Sequence, residues 1–134
     1  MMFVTPLYTG LLALWLLVLS VRVVRIRQRG IAFGDNGDVN LARVIRAQAN
    51  FGEYVPLALL MMGFLEVSHF SIYLLHAFGI TLLAARLVHG AALSFGWQPR
   101  LGRVTGAALT LIVMLIEGVL CVYQGLRGQS LWFH

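Results

Sequence analysis

Four polar residues recur at a spacing that would place them on one side of a helix. They are Arg43, Arg46, Asn50 and Glu53, separated by three, four and three positions. At about 100° per residue, this spacing confines them to roughly a quarter of the helix circumference. Guanidinium groups bind carboxylates bidentately and stay charged, and a glutamate binds an ammonium group. The pattern therefore predicts a site for a small zwitterionic molecule.

A second pair, Arg86 and His89, lies further along the chain at a spacing of three positions. It would add another guanidinium to a site that already contains Asn50 and Glu53. Such a site suits a ligand with carboxylates and an amine. Glutathione carries these groups, and so do other small peptides and amino acids, so the spacing alone does not choose between them.

The elements that must position these residues are membrane helices. The 134 residues are 60% hydrophobic and 11% charged, and their mean hydropathy is +0.85. Long apolar runs with 14 glycines and only 3 prolines exclude collagen-like and disordered chains. At about 20 apolar residues per crossing, such a chain holds four spans and almost nothing else.

We predict one membrane domain over residues 1–134, an all-α four-transmembrane-helix bundle. Its spans lie at about residues 5–24, 42–65, 70–94 and 104–126. The first half of the second span is costly to bury because it contains the polar residues described above. Pro56 follows them and would kink this span.

The distribution of arginine predicts the orientation. All ten basic residues are arginines. Nine are expected at one end of the bundle: Arg22, Arg25, Arg27, Arg29, Arg43, Arg46, Arg86, Arg100 and Arg103. Arg127 alone is expected at the other end. The positive-inside rule then places the arginine-rich loops and the site on the cytoplasmic side, with both termini on the opposite side. Arginines at span ends also argue against nucleic acid as a partner.

Other reactive side chains are isolated in the sequence. Cys121 is the only cysteine, which leaves no disulfide framework and no paired-cysteine metal site. His69, His76 and His134 have no partner at metal-ligand spacing, so we expect no metal. Glu117 lies about 20 Å along the fourth span from its arginine-rich end and is too deep to join the arginines, which leaves a relay or a subunit contact open for it.

The segment 42–57 reads Ala-Arg-Val-Ile-Arg-Ala-Gln-Ala-Asn-Phe-Gly-Glu-Tyr-Val-Pro-Leu. It resembles the second-helix signature of the MAPEG family, the membrane-associated proteins of eicosanoid and glutathione metabolism. The signature there is Glu-Arg-x-x-Arg-Ala-x-x-Asn-x-x-Glu-Tyr-x-Pro. The leukotriene C synthase version is especially similar because it also has glutamine at the position of Gln48. The chain as a whole resembles a small bacterial inner-membrane branch of the family.

The resemblance implies a homotrimer in the bacterial inner membrane, multi-pass and with periplasmic termini. It also implies three glutathione sites at the subunit interfaces, which open toward the cytoplasm. Carried over by position, the glutathione ligands are Arg43, Arg46, Gln48, Asn50, Glu53, Tyr54, Arg86 and His89, with Arg22 and Arg25 as further candidates. The arginine that holds the glutathione thiolate falls on Arg100, and Arg103 is the alternative. A guanidinium near the sulfur favours the thiolate, which is the nucleophile.

Two departures from the family pattern concern the chemistry. The glutamate that opens the signature is Ala42 here, and a ligand-contacting tyrosine of the synthases is Leu93. The resemblance predicts a membrane-bound glutathione transferase or peroxidase that acts on lipophilic electrophiles. Its partners would be other copies of the chain, membrane lipids and a lipophilic small molecule. The alternative is a non-catalytic membrane binding or scaffold protein for an anionic lipid or peptide, because the family also contains a non-catalytic lipid binder.

Overall fold

The computed structural model describes residues 3–31 and 33–130, and within these ranges the chain forms four α-helices. They are α1 (Val4–Arg27), α2 (Val39–Val67), α3 (Ile72–Ser94) and α4 (Pro99–Ser130). The prediction of an all-α four-helix bundle is confirmed. α4 begins earlier than the predicted residue 104, since a proline is well suited to the first position of a helix. Arg100 and Arg103 consequently lie in the first turns of α4 and not in the preceding loop.

Three helices are long and apolar enough to cross a membrane, by length and composition. These stretches are Val4–Arg27, Ile72–Ser94 and Arg100–Gly128. α2 is not in this group because Arg43, Arg46 and Glu53 make its first half polar. It is nevertheless 29 residues long and packs against α1, α3 and α4. α2 is therefore a polar-sided helix held within a bundle of apolar ones.

Short connections join the helices. Asp38 caps the start of α2 by accepting hydrogen bonds from the backbone N–H groups of Asn40 and Leu41, at 2.8 and 3.1 Å, as an N-cap aspartate commonly does. Gly96, with φ of 73°, turns the chain between α3 and α4. The connection between α1 and α2 and the connection between α3 and α4 lie at the same end of the bundle. We call this the arginine-rich end.

Apolar side chains fill the interior along the length of the bundle. At the arginine-rich end the buried cluster is small and consists of Val23, Leu41 and Val44. The middle is larger and includes Leu12, Phe51, Val55 and Leu82, and the opposite end includes Tyr8, Met62, Phe78 and Val113. In a bilayer, van der Waals packing of these side chains against one another stabilises the association of the helices.

Glu66 ties the last turn of α2 to the beginning of α1. Its carboxylate accepts hydrogen bonds from the backbone N–H groups of Phe3, Val4 and Thr5. The first N–H groups of a helix have no partner inside the helix. A side chain 61 to 63 positions away in the sequence therefore caps α1.

α4 approaches α3 closely at two glycines, Gly102 and Gly106. A Cβ atom built on Gly106 would lie 2.6 Å from the carbonyl oxygen of Ala85 and 2.7 Å from the Cβ of His89. A Cβ on Gly102 would lie 2.9 Å from the Cβ of Ala92. Small residues four apart let helix backbones approach in this way. The start of α4 is thereby pressed against the part of α3 that contains Arg86 and His89.

Candidate functional site

The polar residues of α2 share one face, as their spacing predicted. Arg43, Arg46 and Glu53 are exposed, while Asn50 and Tyr54 are half-buried. The guanidinium of Arg46 lies 3.7 Å from the carboxylate of Glu53, and these side chains are 65% and 48% exposed. An opposite pair of charges is therefore available on the surface of the single chain.

This face extends well into the length of the helix. Glu53 is fourteen residues beyond the first residue of α2, which corresponds to about 21 Å at 1.5 Å per residue. A charged residue at the centre of a bilayer costs at least about 2.5 kcal/mol when lipid surrounds it. The face that carries Arg46 and Glu53 therefore needs a cover other than lipid.

Arg86 fixes the polar face of α2 to the rest of the bundle. It comes from α3, is 2% exposed, and donates hydrogen bonds to Oδ1 of Asn50 at 2.8 Å and to the carbonyl oxygen of Gly106 at 3.1 Å. Its planar guanidinium suits two acceptors in different directions. Arg86 thus links α2, α3 and α4 and holds the Asn50 amide in place.

His89 and Tyr54 lie next to this linkage. His89 is buried on α3 against Gly106 and is within electrostatic reach of Arg86, Arg46 and Arg103. Tyr54 helps line a small cavity of about 40 Å³ together with Asn50, Arg86 and Thr110. A cavity of this size has room for about one water molecule. The small cavity is therefore too small for a ligand of the size of glutathione.

A larger cavity of about 310 Å³ lies at the surface beside the start of α2. We call it the stripe cavity. Its lining includes Arg43, Arg46, Arg103, Asp35, Asp38 and Leu93. It is near the small end of the size range of ligand pockets, about 300–1,000 Å³. The cavity brings two predicted glutathione ligands together with Arg103, whereas Arg100 is exposed and does not line it.

The other predicted ligands do not line the stripe cavity. Asn50, Tyr54 and Arg86 line the small cavity, and Glu53 and His89 line neither of the two. Gln48 donates a hydrogen bond to Oγ of Ser20 at 2.8 Å and so faces α1. Arg22 donates to the carbonyl oxygen of Ser94 at 2.6 Å. Arg25 is exposed on α1 and lines neither the stripe cavity nor the small one. Within one chain these three residues do not join the stripe cavity.

Sequence reasoning missed Gly106, whose carbonyl oxygen accepts a hydrogen bond from Arg86. The available signal was the spacing of Gly102 and Gly106, because small residues four apart mark close helix contacts in membranes. It also missed Ser94 and Phe95 beside Arg22, for which the sequence has no recognisable pattern.

The sequence matches the model of the MAPEG family over residues 5–123. The inner membrane protein YecN of Escherichia coli strain K12 is 39% identical over 119 residues, covering 83% of this chain and 88% of that protein. YecN of Escherichia coli O6:H1 strain CFT073 has the same identity and coverage. Together with the three apolar helices, these similarities support an inner-membrane location.

Proposed function

The chain belongs to the MAPEG family. We propose that it binds glutathione in the stripe cavity and acts as a glutathione transferase or peroxidase, with lipophilic electrophiles as its second substrates. The observation that carries this proposal is the exposed pair of Arg46 and Glu53. Arg46 lines the stripe cavity together with Arg43 and Arg103, and the carboxylates of Asp35 and Asp38 lie there as well. Glu53, seven positions further along α2, lies outside that lining.

The chemistry of glutathione matches these charges. Its carboxylates would pair with Arg43 and Arg46, and its ammonium group with Glu53. The ligand would replace the contact between Arg46 and Glu53, which is long at 3.7 Å and exposed. Exposed ion pairs contribute only about 0–1 kcal/mol, so little stability is lost when the ligand takes over both partners.

Arg103 is our choice for the residue that holds the thiolate. It lines the stripe cavity with Arg43 and Arg46, and Arg100 does not. A guanidinium beside the sulfur favours loss of the thiol proton. The thiolate sulfur would then form a bond to the electrophilic carbon, and the leaving group or a conjugated carbonyl of the substrate would take the electron pair.

We also propose that the functional unit is a homotrimer. The charges of Arg46 and Glu53 lie too far along α2 to face lipid cheaply, and a neighbouring subunit would cover them. Native mass spectrometry of the detergent-solubilised chain should then show three copies. A monomer that still binds glutathione would contradict this part of the proposal.

The central experiment measures thermal stability of the detergent-purified protein against glutathione. Arg46→Ala and Glu53→Gln should each weaken binding about tenfold or more, because each removes a charge-assisted contact of about 1.5–3 kcal/mol. Arg127→Ala is the matched control, since it removes the same charge at the other end of the bundle. If Arg46→Ala and Glu53→Gln both bind glutathione as tightly as wild type, α2 does not contribute to the site.

Ultraviolet difference absorbance on the same samples tests the thiolate. A thiolate band should form with wild-type protein and Arg100→Ala, and be absent with Arg103→Ala. Loss of the band in Arg100→Ala alone would transfer the role to Arg100.

A non-catalytic binding protein is the second candidate function. The observation that favours it is Leu93, which lines the stripe cavity and has no hydroxyl group to donate to a ligand. This candidate predicts stabilisation by glutathione without a thiolate band and without turnover of any electrophile.

A further inference from the structure

A second arginine-lined cavity of about 320 Å³ lies on the other side of the α2 start, between the ends of α1 and α3. We call it the arginine cavity. Its polar lining consists of Arg22, Arg29, Arg43, Asn40 and Ser94. None of the described residues that line it is acidic, so three guanidinium groups face one space without a counter-charge in its lining.

The inner wall of this cavity is rigid. Arg22 donates to the carbonyl oxygen of Ser94 at 2.6 Å, and its guanidinium carbon lies 4.6 Å from the centre of the Phe95 ring. The hydrogen bond and the cation–π contact hold the guanidinium in one orientation. A ligand in this cavity would bind to an Arg22 guanidinium that is already held in place.

Two buried polar atoms of the same wall have no hydrogen-bond partner among the described residues. They are Nε of Arg22 and Oγ of Ser94. Ser94 is only 5% exposed, so bulk water does not readily replace the missing partner. Buried polar groups are nearly always hydrogen-bonded in folded proteins. The unsatisfied hydroxyl therefore points to a ligand that accepts a hydrogen bond inside this cavity.

We propose that the arginine cavity is a binding site for a phosphate group, separate from the stripe cavity. A phosphate group presents several acceptor oxygens in different directions and carries at least one negative charge, which matches three guanidinium groups and a hydroxyl. Asn40 also lines the cavity, and its side-chain amide can donate a further hydrogen bond to a phosphate oxygen. The phosphate belongs either to a lipid headgroup or to a soluble phosphate.

The two cavities share Arg43 and Leu93 but can be tested independently. Arg29 and Ser94 line the arginine cavity and not the stripe cavity. Arg25 lies on the same helix as Arg29, is also exposed, and lines neither cavity. Arg25→Gln therefore reports on general surface charge, whereas Arg29→Gln and Ser94→Ala report on the site itself.

The experiment uses the full chain in the non-ionic detergent dodecyl maltoside, with inorganic phosphate and phosphatidylglycerol as probes. Phosphate binding is followed by thermal stabilisation, and lipid retention by native mass spectrometry against diacylglycerol, which lacks the phosphate. Arg29→Gln should weaken binding about tenfold and Ser94→Ala about threefold, since each removes one contact to the phosphate. Arg25→Gln should stay within about twofold of wild type, and Arg29→Gln should keep its glutathione affinity.

If phosphatidylglycerol stays bound to the protein and inorganic phosphate displaces it, the occupant is a lipid headgroup. Binding of inorganic phosphate alone would support a soluble phosphate. Equal weakening by Arg25→Gln and Arg29→Gln, or no binding of either probe, would overturn the proposal. A protein that binds phosphate but not glutathione would confirm this site and refute the proposed function, so the two failures are distinguishable.

Discussion

A methyl group added at Gly106 should separate α4 from α3 and release Arg86. The new Cβ would lie 2.6 Å from the carbonyl oxygen of Ala85 and 2.7 Å from the Cβ of His89. Non-bonded carbon contacts are most favourable at about 3.5–4.0 Å, so α4 would have to move by about 1 Å. Backbone atoms of α3 cannot move aside as the end of a flexible side chain can.

The size of the effect follows from three contributions. Overpacking costs about 1–3 kcal/mol. The hydrogen bond from Arg86 to the Gly106 carbonyl, now 3.1 Å, would exceed hydrogen-bonding distance, which costs about 1.5–3 kcal/mol for a charged donor. Replacing glycine by alanine within a helix returns about 1 kcal/mol. The expected net loss in Gly106→Ala is therefore about 1.5–5 kcal/mol.

The matched control is Gly118→Ala on the same helix. Its new Cβ would meet only Sδ of Met61, at 3.9 Å, which is ordinary contact. This variant should be as stable as wild type or gain up to about 1 kcal/mol. Both variants can be compared by unfolding in mixed micelles of dodecyl maltoside and sodium dodecyl sulfate, with glutathione affinity measured under native conditions.

Gly106→Ala should also bind glutathione more weakly, because Arg86 would no longer hold Asn50 in place. Equal stability of the two alanine variants, with unchanged glutathione affinity, would refute the close packing of α4 on α3 and its role in the site.

Three further variants test other parts of the bundle. Glu117 is 0% exposed, and neither of its carboxylate oxygens has a hydrogen-bond partner among the described residues. Glu117→Leu should therefore stabilise the fold by about 1–3 kcal/mol. A loss of stability in chemical unfolding would indicate an unrecognised partner. Glu66→Gln leaves one acceptor oxygen in place of two for the first N–H groups of α1. The amide of Thr5 should therefore exchange its hydrogen faster than in wild type. Unchanged exchange would contradict the capping role of Glu66. Tyr8→Phe removes the 3.0 Å hydrogen bond to His76 but keeps the ring, so the loss should be only about 0.5–1.5 kcal/mol; a much larger loss in thermal unfolding would show that the hydroxyl does more than bond His76.

Much of the fold was predictable from local pattern. The apolar runs predicted four helices, and the signature of residues 42–57 predicted membership of the family that the comparisons confirm. The spacing of Arg43, Arg46 and Glu53 placed them correctly on one face of α2. The trimer, glutathione binding and the thiolate role remain predictions.

The site itself was only partly predictable. The resemblance put Gln48 among the ligands, but within one chain its amide donates to Ser20 on α1. It gave Arg100 for the thiolate with Arg103 as the alternative, and of the two only Arg103 lines the stripe cavity with Arg46. Both differences depend on how neighbouring helices are rotated, which spacing within one helix does not report.

The sequence by itself determined the helical class, the membrane environment, the polar face of α2 and the concentration of arginine at one end. These properties follow from the period of a helix and from the cost of burying charge, and both act locally along the chain. Tertiary structure decided that Arg86 is buried between Asn50 and Gly106, and that the arginines divide between two cavities. The reason is that the distance between α3 and α4 depends on contacts between residues distant in sequence, and the glycines of α4 set that distance.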